Sequence, residues 1–235
     1  MTHAVDAQVP SGLAARLSAI DARIADSARA AGRDPGEITR IVVTKFHPAS
    51  LVRDLQGLGV QDVGENRQQE LSAKESELTS LDLRWHFIGQ GQTNKAAAIR
   101  RSADVVHSVD RGRFADALHR AAEGDDRLDV LVQINLTDDP GRGGAVPAEA
   151  VALAEHVLSL PSLRLRGVMA VAPLDEEPAS AFARLREVAD GVIAVEPSAS
   201  WISAGMTGDF VEAIAAGATH LRIGSAITGP RPDRG

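Results

Sequence analysis

The chain has 235 residues, no cysteine, no tyrosine and a formal net charge of -7. That balance gives no basic field for a polyanion, which argues against nucleic acid or an anionic membrane surface as the main partner, and the lack of thiols removes disulfides and sulfur metal sites. The first ten residues are polar and mixed, and no apolar run approaches the roughly 20 residues needed to cross a bilayer, so a cytoplasmic protein is expected.

From Ser11 to Ala31, Leu13, Leu17, Ile20, Ile24, Ala28 and Ala31 recur at helical spacing, with Ser11 as N-cap; Gly32 and the Asp34-Pro35-Gly36 turn end this helix. Ile41 to Lys45 reads as a buried strand, followed by a helix opening at Pro48 and closed by Gly59. Val60 to Val63 is a second strand running into Gly64-Glu65-Asn66, and a polar helix covers about Arg67 to Leu78. The same rhythm then repeats. Strands are predicted at Leu83–Gly89, Asp104–Val109, Val130–Asn135 within Leu128–Leu136, Leu165–Val171, Trp201–Met206 and His220–Gly224. Between them come helices at about Lys95–Arg101, Arg113–Glu123, Pro147–Leu158, Ala179–Ala194 and Asp209–Ala216, with Ser225 to Gly229 as the final loop. Eight strands alternating with helices over roughly 190 residues define a single (β/α)8 TIM barrel preceded by one extra helix, spanning about residues 40–231 of a one-domain chain. An open doubly wound sheet would place a glycine-rich turn after the first strand, and Lys45-Phe46-His47-Pro48 is not one.

A lysine at the end of an apolar strand reads in two ways. It is a solvated residue at a loop boundary, or a desolvated amine with a lowered pKa that attacks an aldehyde to form a Schiff base. The loops after strands seven and eight of a barrel commonly hold a phosphate. Here Ser203-Ala204-Gly205-Met206-Thr207-Gly208-Asp209 runs from strand to helix, bringing hydroxyls, glycines and unsatisfied N–H groups together, and Arg222-Ile223-Gly224-Ser225 adds a neighbouring glycine and hydroxyl. An imine-forming lysine opposite such a cradle points to pyridoxal 5'-phosphate. Asn66, His86, Asn94, Asn135 and Met169 fit a polar rim, although Asn66 and Asn135 read equally as turn caps and His86 as a hydrogen-bonded core histidine. The remaining histidines show no metal-ligand spacing, so no metal is assigned.

Val43-Thr44-Lys45, Gly64-Glu65-Asn66, Trp85-His86-Phe87-Ile88-Gly89, His107-Ser108-Val109-Asp110, Arg166-Gly167-Val168-Met169, Gly205-Met206-Thr207-Gly208-Asp209-Phe210 and Arg222-Ile223-Gly224-Ser225-Ala226-Ile227 together resemble the pyridoxal phosphate homeostasis family. The resemblance implies an alanine-racemase-type barrel with Lys45 as the Schiff-base residue. It also implies Ser203, Met206, Thr207, Gly224 and Ser225 around the phosphate and Arg222 facing the pyridine nitrogen. The family is thought to buffer or deliver the cofactor, with PLP-dependent apo-enzymes as recipients and without an accepted reaction. Thr207 keeps the hydroxyl of the serine usual there, Thr228 replaces an aromatic ring, and Arg142 stands in the loop after strand five, where the family often has a basic residue.

Chemistry supports the carrier reading separately. An arginine on the pyridine nitrogen keeps it unprotonated and weakens the electron sink. Racemisation needs a base on each face of the substrate; in alanine racemases a tyrosine from a partner's second domain provides one. This chain has no tyrosine, and no second domain is expected. A monomer that binds PLP with no catalytic residue is therefore the first expectation. The alternatives are a weak amino-acid racemase with His86 as second base, and a cofactor-free Schiff-base aldolase.

Overall fold

The computed structural model describes residues 12–230. Helix α1 (Leu13–Ala30) buries the anticipated stripe of Leu13, Leu17, Ile20, Ile24 and Ala28. Ala31 is the exposed C-cap rather than part of that stripe. Ser11, read as N-cap, lies outside the described residues, and Gly12 holds the cap position at φ 93°.

The strands are β1 (Thr39–Val43), β2 (Asp62–Glu65), β3 (Arg84–Phe87), β4 (Val105–Val109), β5 (Leu128–Ile134), β6 (Leu163–Ala170), β7 (Trp201–Ser203) and β8 (His220–Ile223). All pair in parallel in sequence order, and β1 closes on β8 through Thr39–His220 to Val42–Ile223 pairing. Helices α2 (Ala49–Gly57), α3 (Gln68–Glu77), α4 (Ala96–Ser102), α5 (Gly112–Arg120), α6 (Ala150–Leu158), α7 (Pro178–Val195) and α8 (Phe210–Ala215) follow successive strands, and α9 (Ser225–Thr228) follows β8. The barrel is as expected, with shifted element ends.

Parallel strands covered by helices must be apolar on the outer face. Val42, Val63, Phe87, Val106, Val130 and Leu221 meet this need in the main core, which they share with α1 and the other helices. The inward positions are different. Val105, Leu131 and Met169 form a small separate apolar cluster, and the other inner positions include Asp62, His86, His107, Ser203, His220 and Arg222. A polar barrel interior must satisfy its own hydrogen bonds.

Two ends differ from expectation for local reasons. Strand β7 stops at Ser203 because Gly205 turns at φ 92°, packed so closely that a Cβ there would meet the Ala213 Cβ at 2.8 Å. The segment from Ser225, expected as loop, is helical. Its turn is closed by the Ile227 and Thr228 amides donating to Gly224 O, and Arg16 Nε of α1 donates to Ile227 O at 2.7 Å.

Candidate functional site

The C-terminal strand ends surround a cavity of about 460 Å³. Lys45 lines it from the turn after β1, two residues beyond the strand in which the sequence placed it. That turn is held from below. Thr44 Oγ1 donates to Glu65 Oε1 at 2.7 Å, and Lys74 Nζ of α3 donates to both Thr44 O (2.8 Å) and Glu65 Oε1 (2.5 Å). Phe46, next to Lys45, adopts φ 70°, a conformation costly to a residue with a Cβ, and its N–H donates to Glu70 Oε2 at 2.8 Å. Burial pushes the Glu65 carboxyl up, against the pull of Lys74 and Thr44, and Glu65 Oε2 is buried with no partner among the described residues. The sequence reading took Glu65 only as part of a motif and α3 only as polar. The Glu70 and Lys74 spacing of four residues was the available sign that this helix turns charges toward the barrel.

On β8, the strand paired with β1, Arg222 lies in register with Ile41 and is 5% exposed. Its guanidinium donates to Ser203 Oγ at 2.7 Å and to Ala170 O at 2.8 Å. Burial draws its pKa down to about 10, with Asp209 opposing, so it stays charged at neutral pH. The loop before α8 and the start of α9 complete the wall with Met206, Thr207, Gly208, Gly224 and Ser225. Met206 N–H is already spent on Asp209 Oδ1 at 2.6 Å, whereas those of Thr207 and Gly208 take no partner among the described residues. Among the described residues no carboxylate lines the cavity, while Lys45 and Arg222 do. A cationic wall with free N–H groups is the donor set a phosphate ester needs.

Of the anticipated site residues, Lys45, Asn66, Met206, Thr207, Arg222, Gly224 and Ser225 meet at this cavity. Asn66 Oδ1 is buried there with no partner among the described residues. Ser203, Gly205, Met169 and His86 lie outside its wall: Ser203 is buried behind Arg222, Met169 packs with Val105 and Leu131 inside the barrel, Gly205 backs onto α8, and His86 is buried in the barrel. Both His86 ring nitrogens are engaged, Nε2 with Asp62 Oδ1 and Nδ1 with His107 Nε2, each at 2.9 Å, which removes it as a second base facing the cavity. Asn135 is a turn cap whose amide binds Thr137 and Asp139. Asn94 is exposed in a short 3-10 turn, and Arg142 lines a separate groove with Asp175 and Arg184. His47, Ile88, Val171 and Thr228 also line the cavity and were not singled out as site residues. Among the described residues no group of three or more potential ligands is placed to hold a metal ion, and no helix is long and apolar enough to cross a membrane.

A larger groove of about 1080 Å³ opens at the opposite, N-terminal end of the barrel. Its charges largely satisfy one another: Asp129 accepts from Arg84 at 2.9 Å and from Arg164 at 2.5 Å. Catalytic and ligand sites of such barrels belong to the C-terminal face, and the smaller cavity is the one that carries the lysine.

Fold and cavity define an alanine-racemase-type barrel with a lysine at its mouth. The family model described as alanine racemase, N-terminal domain, matches residues 16–232. The pyridoxal phosphate homeostasis protein of Pseudomonas aeruginosa is 41% identical over 225 residues, covering 94% of this chain and 96% of its own, and that of Mycobacterium tuberculosis is 39% identical over 241 residues, covering 94% and 93%. PipY of Synechococcus elongatus PCC7942, solved with PLP bound, superposes with a TM-score of 0.82 at 33% identity over 92% of this chain and 100% of that one. Alanine racemase from Corynebacterium glutamicum shares the fold, with a TM-score of 0.67 at 16% identity. The chain belongs to the pyridoxal phosphate homeostasis protein family.

Proposed function

We propose that this protein binds pyridoxal 5'-phosphate in the Lys45 cavity, holds it in reserve and releases it to PLP-dependent apo-enzymes, with little or no turnover of its own. The carrying observation is that Lys45 and Arg222 line one cavity that, among the described residues, has no carboxylate in its wall and holds a buried Asn66 Oδ1 with no partner. The naming of the relatives and the PLP bound to PipY support the same reading. When bound, the cofactor supplies an aldehyde that a lysine amine can capture and a pyridine ring that draws electrons most strongly when protonated. Lys45 Nζ would be the amine for that bond. Thr207, Gly208, Gly224 and Ser225 would hold the phosphate, and Arg222, whose guanidinium stays charged at neutral pH and donates a hydrogen bond without giving up its proton, would face the ring nitrogen.

The last assignment favours storage over catalysis. A racemase would also need a second base, and the chain has no tyrosine while His86 is closed off in the barrel. Incubating the loaded protein with common L-amino acids in deuterated water tests this. No α-proton exchange is expected; exchange at a catalytic rate would make the protein an enzyme.

A further inference from the structure

Four hydrogen bonds run through the barrel interior in one line. Arg222 Nη1 donates to Ser203 Oγ (2.7 Å), Ser203 Oγ meets His107 Nδ1 (2.9 Å), His107 Nε2 meets His86 Nδ1 (2.9 Å), and His86 Nε2 meets Asp62 Oδ1 (2.9 Å). The residues come from β8, β7, β4, β3 and β2, and their line joins the cavity wall at Arg222 to the rim of the N-terminal groove at Asp62. His86, His107 and Ser203 are fully buried.

Only some proton placements satisfy such a line. Ser203 accepts from the guanidinium, so its own proton finds an acceptor at His107 Nδ1. His107 then carries its hydrogen on Nε2 and donates to His86 Nδ1, and His86 carries its hydrogen on Nε2 and donates to the Asp62 carboxylate. Each donor has one acceptor and both imidazoles are neutral. Burial lowers the pKa of both rings, His107 well below the usual range, and Arg84 and His220 add to the effect, while Asp62 and Asp104 raise His86. Arg222 meanwhile bonds Ser203 Oγ and Ala170 O and no carboxylate among the described residues, although a buried cation needs compensation. Successive polarisation along a hydrogen-bonded line strengthens each link.

We propose that His86, His107 and Ser203 are positioning residues, polarised in one direction by Asp62, that fix the Arg222 guanidinium toward the cavity. Asp62 thereby acts on the cavity from the far end of the barrel. What Arg222 faces rests on the cofactor reading above; the ordering of the line does not.

The test is a two-bond 1H–15N correlation spectrum of the ligand-free protein labelled with 15N-histidine, at pH 7. His86 and His107 are both expected neutral with the proton on Nε2. A proton on His107 Nδ1, or a charge on either ring, overturns the proposal, and this arm needs no variant. In Asp62→Ala the direction loses its anchor, so His107, one residue removed from the substitution, is expected to shift toward the Nδ1–H form. An effect confined to His86 overturns the coupling. With PLP added, the same variant should move the pH midpoint of the bound chromophore, and an unmoved midpoint overturns the claim on Arg222. A wild type that takes up no PLP defeats the cofactor reading, and the histidine spectra then judge the line alone.

Discussion

Lys74 illustrates how much one side chain outside the cavity can matter. Its ammonium supplies the only ion-pair partner of Glu65 among the described residues and also caps Thr44 O, directly before Lys45. Lys74→Met leaves a buried carboxylate uncompensated and should cost about 3–5 kcal/mol in urea denaturation. Adding Glu65→Leu should recover most of that loss, and a double variant as unstable as the single one would refute the pair's role. The raised Glu65 pKa has a sign of its own: its contribution to stability is present below the ordinary carboxylate range and lost as pH rises through the raised value. At the phosphate end, Ser225→Ala removes a charge-assisted hydrogen bond and should weaken PLP retention by about 1.5–3 kcal/mol, read as a faster dissociation rate; an unchanged rate would take Ser225 out of the cradle. Lys45 could be read from the sequence because a charge ending an apolar strand is conspicuous. Glu65 and Lys74 were harder to read, because only the four-residue spacing of Glu70 and Lys74 distinguishes this helix from a solvated one until the barrel closes around it.

At the scale of elements, the cavity depends on how closely neighbouring strand ends pack. Gly89 follows β3, and a Cβ there would lie 2.0 Å from Asn66 O, so Gly89→Ala must push the Asn66 backbone out of the wall. We expect a cost of about 1–3 kcal/mol together with weaker PLP binding, measured by thermal melts and titration; unaltered binding would show that Asn66 is dispensable. Gly57, at the exposed end of α2, has nothing within 4 Å of a built Cβ and an ordinary helical backbone. Gly57→Ala should stabilise by about 0.4–1 kcal/mol, and a lower melting temperature would contradict the helix assignment there. The strand and helix rhythm was legible because period-2 and period-3.6 patterns alternate cleanly. The ends of β7 and the helix α9 were not, since the first is set by the packing of Gly205 on α8 and the second by contacts with α1 from the other end of the chain.

Barrel closure is what turns scattered histidines into a group. His86, His107 and His220 stand far apart in sequence, yet closure brings their rings to centroid distances of 5.1 Å and 6.4 Å along β3, β4 and β8. Sequence spacing looks for ligands on one element, so this group was invisible to it. Burial holds all three neutral, His220 pushed down to about 3. Because these pKa values lie below the unfolded value near 6.5, their stabilisation is complete above that pH and lost as pH falls below it, for His220 toward about 3, by up to about 1.4 kcal/mol per pH unit for a ring. The urea midpoint should therefore drop between pH 7 and pH 5, less steeply in His220→Gln, and a flat profile would mean that the rings are not buried neutral. The function proposed for the molecule stands on Lys45. Purified protein given PLP, reduced with borohydride and mapped by peptide mass spectrometry tests it most directly. The account predicts an absorbance band of the bound cofactor and a single reduced adduct on Lys45, lost in Lys45→Ala. No band, or an adduct spread over surface lysines and retained in Lys45→Ala, would contradict it.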